Sequence, residues 1–85
     1  MKVVSKNIEM VAYFNNGKIE PLKFRIKEEN KYMVVKIKKI INYEKEKMRG
    51  NNMLKFTCTA IIEDVEKIFE IKYDINNTLW FLYKI

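Results

Sequence analysis

The sequence is short of the residues that most catalytic sites need. Its 85 residues include no histidine and one cysteine, and Ser5 is the only serine. Without histidine the chain lacks the commonest general base and metal ligand, and it has no Ser–His or Cys–His nucleophile pair. A lone Cys58 forms no internal disulfide and offers zinc a single ligand, so we expect a buried, inert thiol in a reducing compartment. These absences predict a protein that is not an enzyme and has no catalytic residue or metal site.

Glycine and proline are also scarce. Gly17 and Gly50 are the only glycines and each falls in a predicted turn, so no glycine-rich loop can cradle a phosphate, and we expect no cofactor and no small-molecule substrate. No linker-like stretch divides residues 1–85, which predicts one domain. No apolar run approaches the ~18 residues that cross a bilayer. We expect a cytoplasmic protein with no membrane partner, in which residues 1–7 form a flexible arm without the apolar core of a signal peptide.

The net charge of +6 is unevenly distributed along the chain. Residues 1–56 hold 14 Lys and Arg against 6 Asp and Glu, a balance of +8, whereas residues 57–85 hold 3 against 5, a balance of −2. Such asymmetry can mark a face that binds nucleic acid. The alternative is that lysines on exposed strand positions serve only solubility and block edge-to-edge aggregation.

Apolar residues alternate with a period of two along most of the chain, which is typical of β-strands. The alternation predicts about six antiparallel strands, at residues 8–14, 19–27, 32–41, 53–63, 66–74 and 78–85. Residues 42–49 fit either a charged strand extension or a helical turn, and a strand is favoured because no apolar stripe follows. The predicted fold class is all-β: a single small antiparallel meander, barrel-like or rolled so that its edges are removed, with a two-sheet sandwich as the alternative.

Local signals refine this prediction. Asn16-Gly17 is a strong hairpin signal, because both residues tolerate the positive φ of a type I′ turn. Pro21 cannot donate a ladder hydrogen bond, so the second strand should begin at an edge or a bulge, with Leu22 pointing inward beyond it. Lys39 interrupts the inward pattern of the third strand and predicts a bulge nearby.

The first functional hypothesis rests on alternate basic residues in the second and third strands. If these strands pair through a turn at residues 28–31, the basic side chains share one outward face. Such a face would bind nucleic acid by displacing counterions from phosphates, and the outward aromatic side chains, for which Tyr13 and Trp80 are candidates, would stack on bases. The predicted nucleic-acid face comprises Lys23, Arg25, Lys27, Lys36 and Lys38.

The second hypothesis concerns the last three strands, which carry apolar residues on both sides. Trp80, Leu82 and Ile61 are predicted to lie on an outer apolar face, opposite the main apolar set of their strands. A sheet that is apolar on both faces needs a second covering layer. That layer is either the N-terminal half of the chain or a second copy, and in the latter case the protein is a homodimer or a protein-interaction module.

Three segments of the sequence carry a resemblance to known proteins: PLKFR at residues 21–25, FEIKY at 69–73 and TLWFLYK at 78–84. They resemble a family of small bacterial single β-domain proteins of uncharacterised function, in which a Pro-x-x-Phe strand and a final hairpin with Tyr, Trp and Tyr recur. Some similar domains accompany DNA-repair polymerases, so the resemblance implies a nucleic-acid role. This chain lacks the additional tryptophans expected in the middle of that group, and the resemblance carries over no functional residue.

Overall fold

Strands account for nearly the whole chain. The computed structural model describes residues 1–85. Its strands are β1 (Val3–Asn15), β2 (Lys18–Glu28), β3 (Lys31–Lys36), β4 (Lys39–Met48), β5 (Asn51–Ile62), β6 (Val65–Asp74) and β7 (Leu79–Lys84). The all-β prediction is confirmed, and residues 42–49 form strand rather than a helical turn. The structure has no helix of the length and hydropathy needed to cross a membrane.

All seven strands belong to one antiparallel sheet, in the order β3-β2-β1-β7-β6-β5-β4. No ladder joins β3 to β4, so the sheet is rolled rather than closed. The two edge strands, β3 and β4, follow each other in the chain, and the short connection between them lies at one corner of the roll. There the Ile37 N–H donates to the Leu22 carbonyl on β2 (2.9 Å), and the Lys38 N–H donates to the Thr59 carbonyl on β5 (2.8 Å).

The third predicted strand is in fact two strands, so the sheet has seven strands where about six were predicted. This segment changes partner: β3 pairs with β2, whereas β4 pairs with β5, and the ladder must break between them. Ile37 and Lys38 occupy the break, and neither is a glycine or proline that would mark it in the sequence. The bulge predicted near Lys39 is confirmed, because the β4–β5 register shifts between Ile40 and Asn42.

The N-terminal segment is strand rather than the expected flexible arm. Val3 pairs with Lys84 and Lys6 with Leu82 of β7, and the Lys2 and Ile85 main chains exchange two hydrogen bonds (2.7 and 2.9 Å). The register shifts between Val3 and Lys6, and Ser5 has a positive φ of 46°. This irregularity removes the alternation by which a strand is recognised in a sequence.

The hairpin between β1 and β2 and the irregularity after it follow the local signals. Asn16 and Gly17 both have positive φ (49° and 78°), as a type I′ turn requires. Ala12 pairs with Pro21 and Val11 with Lys23, which leaves Leu22 as the extra residue of a bulge. Of the two alternatives predicted for the start of this strand, an edge or a bulge, the structure has the bulge, which turns Leu22 outward, where it is exposed rather than buried.

The core lies on the inner face of the roll. It joins the two halves of the sheet, which are β1 to β3 and β4 to β7. Phe24 of β2 meets Phe69 of β6 edge-to-face, with ring centroids 5.7 Å apart. Trp80 packs on Tyr73 at 4.5 Å and on Phe56 at 5.9 Å. The strands of both halves therefore depend on one cluster of buried side chains.

Candidate nucleic-acid interface

Four of the five predicted basic residues share one outward face of the sheet. β2 and β3 pair continuously from Lys23 opposite Lys36 to Glu28 opposite Lys31, so the pairing predicted through the turn at 28–31 is confirmed. Directly opposed residues of an antiparallel pair lie on the same side of the sheet. The exposed side chains of this surface, termed the basic face, are Lys23, Arg25, Lys27 and Lys36.

Two of the five predicted cations already have an acidic partner. The Arg25 Nε donates to the Glu9 Oε1 at 2.7 Å, and this hydrogen bond lowers the pKa of the Glu9 carboxyl and raises the pKa of Arg25. Lys38 lies just beyond β3 rather than on it, and its Nζ is 3.2 Å from the Glu66 Oε1. These two residues therefore contribute little net charge for an anionic ligand.

The other three cations, Lys23, Lys27 and Lys36, form no ion pair within the protein. Lys23 and Lys36 are moreover directly opposite each other on neighbouring strands. Like charges in that position repel and destabilise the sheet. The basic face therefore concentrates positive charge that the fold does not neutralise.

A second pair of directly opposed lysines in the same sheet does have acidic partners. Lys55 of β5 is directly opposite Lys72 of β6. Here Glu44 of β4 lies 3.0 Å from the Lys55 Nζ, and Glu46 lies 2.6 Å from the Lys72 Nζ. The fold thus neutralises an opposed lysine pair in one place and leaves Lys23 and Lys36 without an acid in another.

Tyr32 is the aromatic residue of the basic face, and the sequence interpretation missed it. It is directly opposite Lys27, and the Arg25 guanidinium carbon lies over its ring, 4.3 Å from the centroid. The sequence could have indicated this residue, because Tyr32 and Lys36 are an even number of positions apart in β3 and therefore face the same side of the sheet. Of the two aromatic candidates, Tyr13 is exposed on the neighbouring strand, whereas Trp80 is buried in the core.

Shallow depressions connect the basic residues across this surface. One of about 300 Å³ lies between Lys27 and Tyr32, and it shares Arg25 with a second depression of about 340 Å³ that includes Lys23. The second shares Val34 with a third, of about 520 Å³, which Lys36, Lys38 and Ile61 also line. These three neighbouring depressions, together termed the path, are lined by all five predicted cations.

The predicted outer apolar face near Trp80 is not present as expected. Trp80 is opposite Tyr73 and Leu82 is opposite Ile71, so both share the inner side with these core residues and are buried. The sequence pattern assigned Trp80 and Leu82 to the wrong side of β7, because both sets of alternating residues in this strand are apolar. Ile61 alone is exposed, at the end of the path along the basic face.

Cys58 offers no reactive group. Its side chain is fully buried at the centre of β5, and burial raises the pKa of the thiol to about 12. The sulfur therefore stays protonated at neutral pH, whereas thiol nucleophiles and metal ligands act as thiolates.

Comparison with known proteins gives no relative: no protein-family model, no curated protein and no solved structure matches this chain. The resemblance to small bacterial β-domains therefore stays a prediction.

Proposed function

We propose that this protein is a non-enzymatic binding domain that contacts nucleic acid through the basic face. The observation that carries the proposal is the opposed pair Lys23 and Lys36, which lacks an acidic partner. A bound phosphate would relieve the repulsion between these two lysines and release counterions from the nucleic acid, which is the dominant favourable contribution to non-specific binding.

The surroundings of the pair suit a polyanion better than a single anion. Lys27 adds a third free cation on β2, four residues from Lys23, which is roughly 14 Å along an antiparallel strand. The depressions that connect Lys27 to Lys36 run along the surface rather than into the protein. An extended chain of phosphates would therefore meet successive cations, whereas one small anion would meet only the opposed pair.

Charge reversal of the opposed pair tests the proposal. The variant Lys23→Glu/Lys36→Glu is expected to bind a labelled mixed-sequence oligonucleotide on the order of 25-fold more weakly near 0.1 M salt, because two phosphate contacts are lost. Fluorescence anisotropy of the labelled oligonucleotide measures the change in Kd. Both side chains are exposed, so the variant is expected to stay folded, which circular dichroism checks.

The matched control reverses two exposed lysines elsewhere on the surface. Lys18→Glu/Lys67→Glu changes the net charge by the same amount, and neither lysine has an ion pair or lies on the basic face. This control should retain most of the affinity. Equal weakening in both variants would show that net charge alone attracts the oligonucleotide, and unchanged binding in the first variant would refute the proposed site.

A further inference from the structure

The shape of the basic face favours a single-stranded over a double-stranded ligand. Reading a duplex requires an element that protrudes into a groove, commonly a helix or a two-stranded ribbon. This chain has no helix, and the one ribbon that ends at the basic face, β2–β3, carries at its tip Glu29, which has no ion pair. An acidic residue at the tip would be repelled by the phosphates that line a groove. The face itself is recessed by shallow depressions rather than raised.

Tyr32 supplies what a single strand needs in addition to charge. Bases that are free of a duplex stack on exposed aromatic side chains, and this stacking tolerates any sequence. Tyr32 is 52% exposed, and the Arg25 guanidinium over its ring is itself fixed by the hydrogen bond to Glu9. The ring is thus held in place at one end of the path while much of its surface remains open.

We infer that the ligand of the basic face is a single-stranded nucleic acid, with a base stacked on Tyr32 and the neighbouring phosphates on Lys27, Lys23 and Lys36. This inference rests on the proposed function and specifies its ligand. Phosphates and bases are common to DNA and RNA, so strands of both kinds are expected to bind.

The experiment compares ligands and one substitution. Labelled DNA and RNA strands of equal length and the corresponding DNA duplex are titrated with the protein, and polyphosphate is added as a competitor that has the charge but no bases. We expect both single strands to bind at least about tenfold more tightly than the duplex. We expect Tyr32→Leu to weaken single-strand binding on the order of tenfold while leaving the duplex and polyphosphate unchanged.

Tyr43→Leu is the control and should bind as the wild type does, because Tyr43 is similarly exposed but lies on β4, outside the basic face, and has no cation over its ring. Equal affinity for strand and duplex, or wild-type binding by Tyr32→Leu, would overturn the inference. If Lys23→Glu/Lys36→Glu still weakened binding as expected in that case, the proposed function would survive. Absence of binding to every nucleic acid would instead overturn the proposed function and this inference with it.

Discussion

Replacing Phe69 with alanine is expected to lower the free energy of unfolding by about 3–5 kcal/mol. Phe69 is fully buried on β6, opposite Cys58 of β5 and edge-to-face with Phe24 of β2. Removing its ring leaves a cavity between the two halves of the roll. A domain of this length has a stability of roughly 4–13 kcal/mol, so the loss is a large part of the total.

Urea denaturation followed by circular dichroism measures this loss, and a thermal melt should show a decrease in Tm of roughly 12 °C or more. Phe14→Ala is the matched control, because Phe14 is exposed and touches only the edge of the aromatic cluster through Tyr73, at 6.4 Å between centroids. That variant should lose no more than about 0.5 kcal/mol. A similar loss at both positions would contradict a core that joins β2 to β6.

Breaking the ion pair between Lys72 and Glu46 is the second change with a large expected effect. The Lys72 side chain is only 7% exposed; its Nζ lies 2.6 Å from the Glu46 Oε1 and 3.8 Å from the centroid of the Tyr83 ring. Lys72→Met should therefore lower the free energy of unfolding by about 3 kcal/mol. It leaves the Glu46 carboxylate, whose side chain is mostly buried, without its counter-charge.

A double variant separates the ion pair from packing. Lys72→Met/Glu46→Leu removes both charges and keeps apolar volume, so it should recover most of the stability lost in Lys72→Met. Urea denaturation of the wild type, the single variants and the double variant gives the coupling energy. If the double variant lost as much as the sum of the single variants, the pair would contribute no coupling, and Glu46 would not secure the edge strand β4.

Strands with one clearly polar side were predictable from the sequence. In β5, Leu54, Phe56, Cys58 and Ala60 alternate with polar residues, and all four are buried. β7 lies next to β1 and β6 and is apolar on both sides, so its inner face could be identified only from the partners of Trp80 and Leu82. A pattern within one strand cannot supply this information, because the register of neighbouring strands decides which side is covered.

The candidate site was predictable in position but not in charge. Alternation placed Lys23, Arg25 and Lys36 together because a tight turn joins their strands. The neutralisation of Arg25 depends on Glu9, which the β1–β2 register brings opposite. The neutralisation of Lys38 depends on Glu66 of β6, which is 28 residues away in the sequence. Such long-range pairs are set by the rolled shape of the sheet, which the sequence pattern does not specify.

The salt dependence of single-strand binding tests the central claim most directly. Three free cations, Lys23, Lys27 and Lys36, predict that log K falls linearly with log salt concentration with a slope of about −2. Anisotropy titrations of one labelled strand over a range of salt concentrations give this slope, and Lys23→Glu/Lys36→Glu should make it markedly shallower. Binding that does not change with salt, or no binding at low salt, would contradict a nucleic-acid role for the basic face.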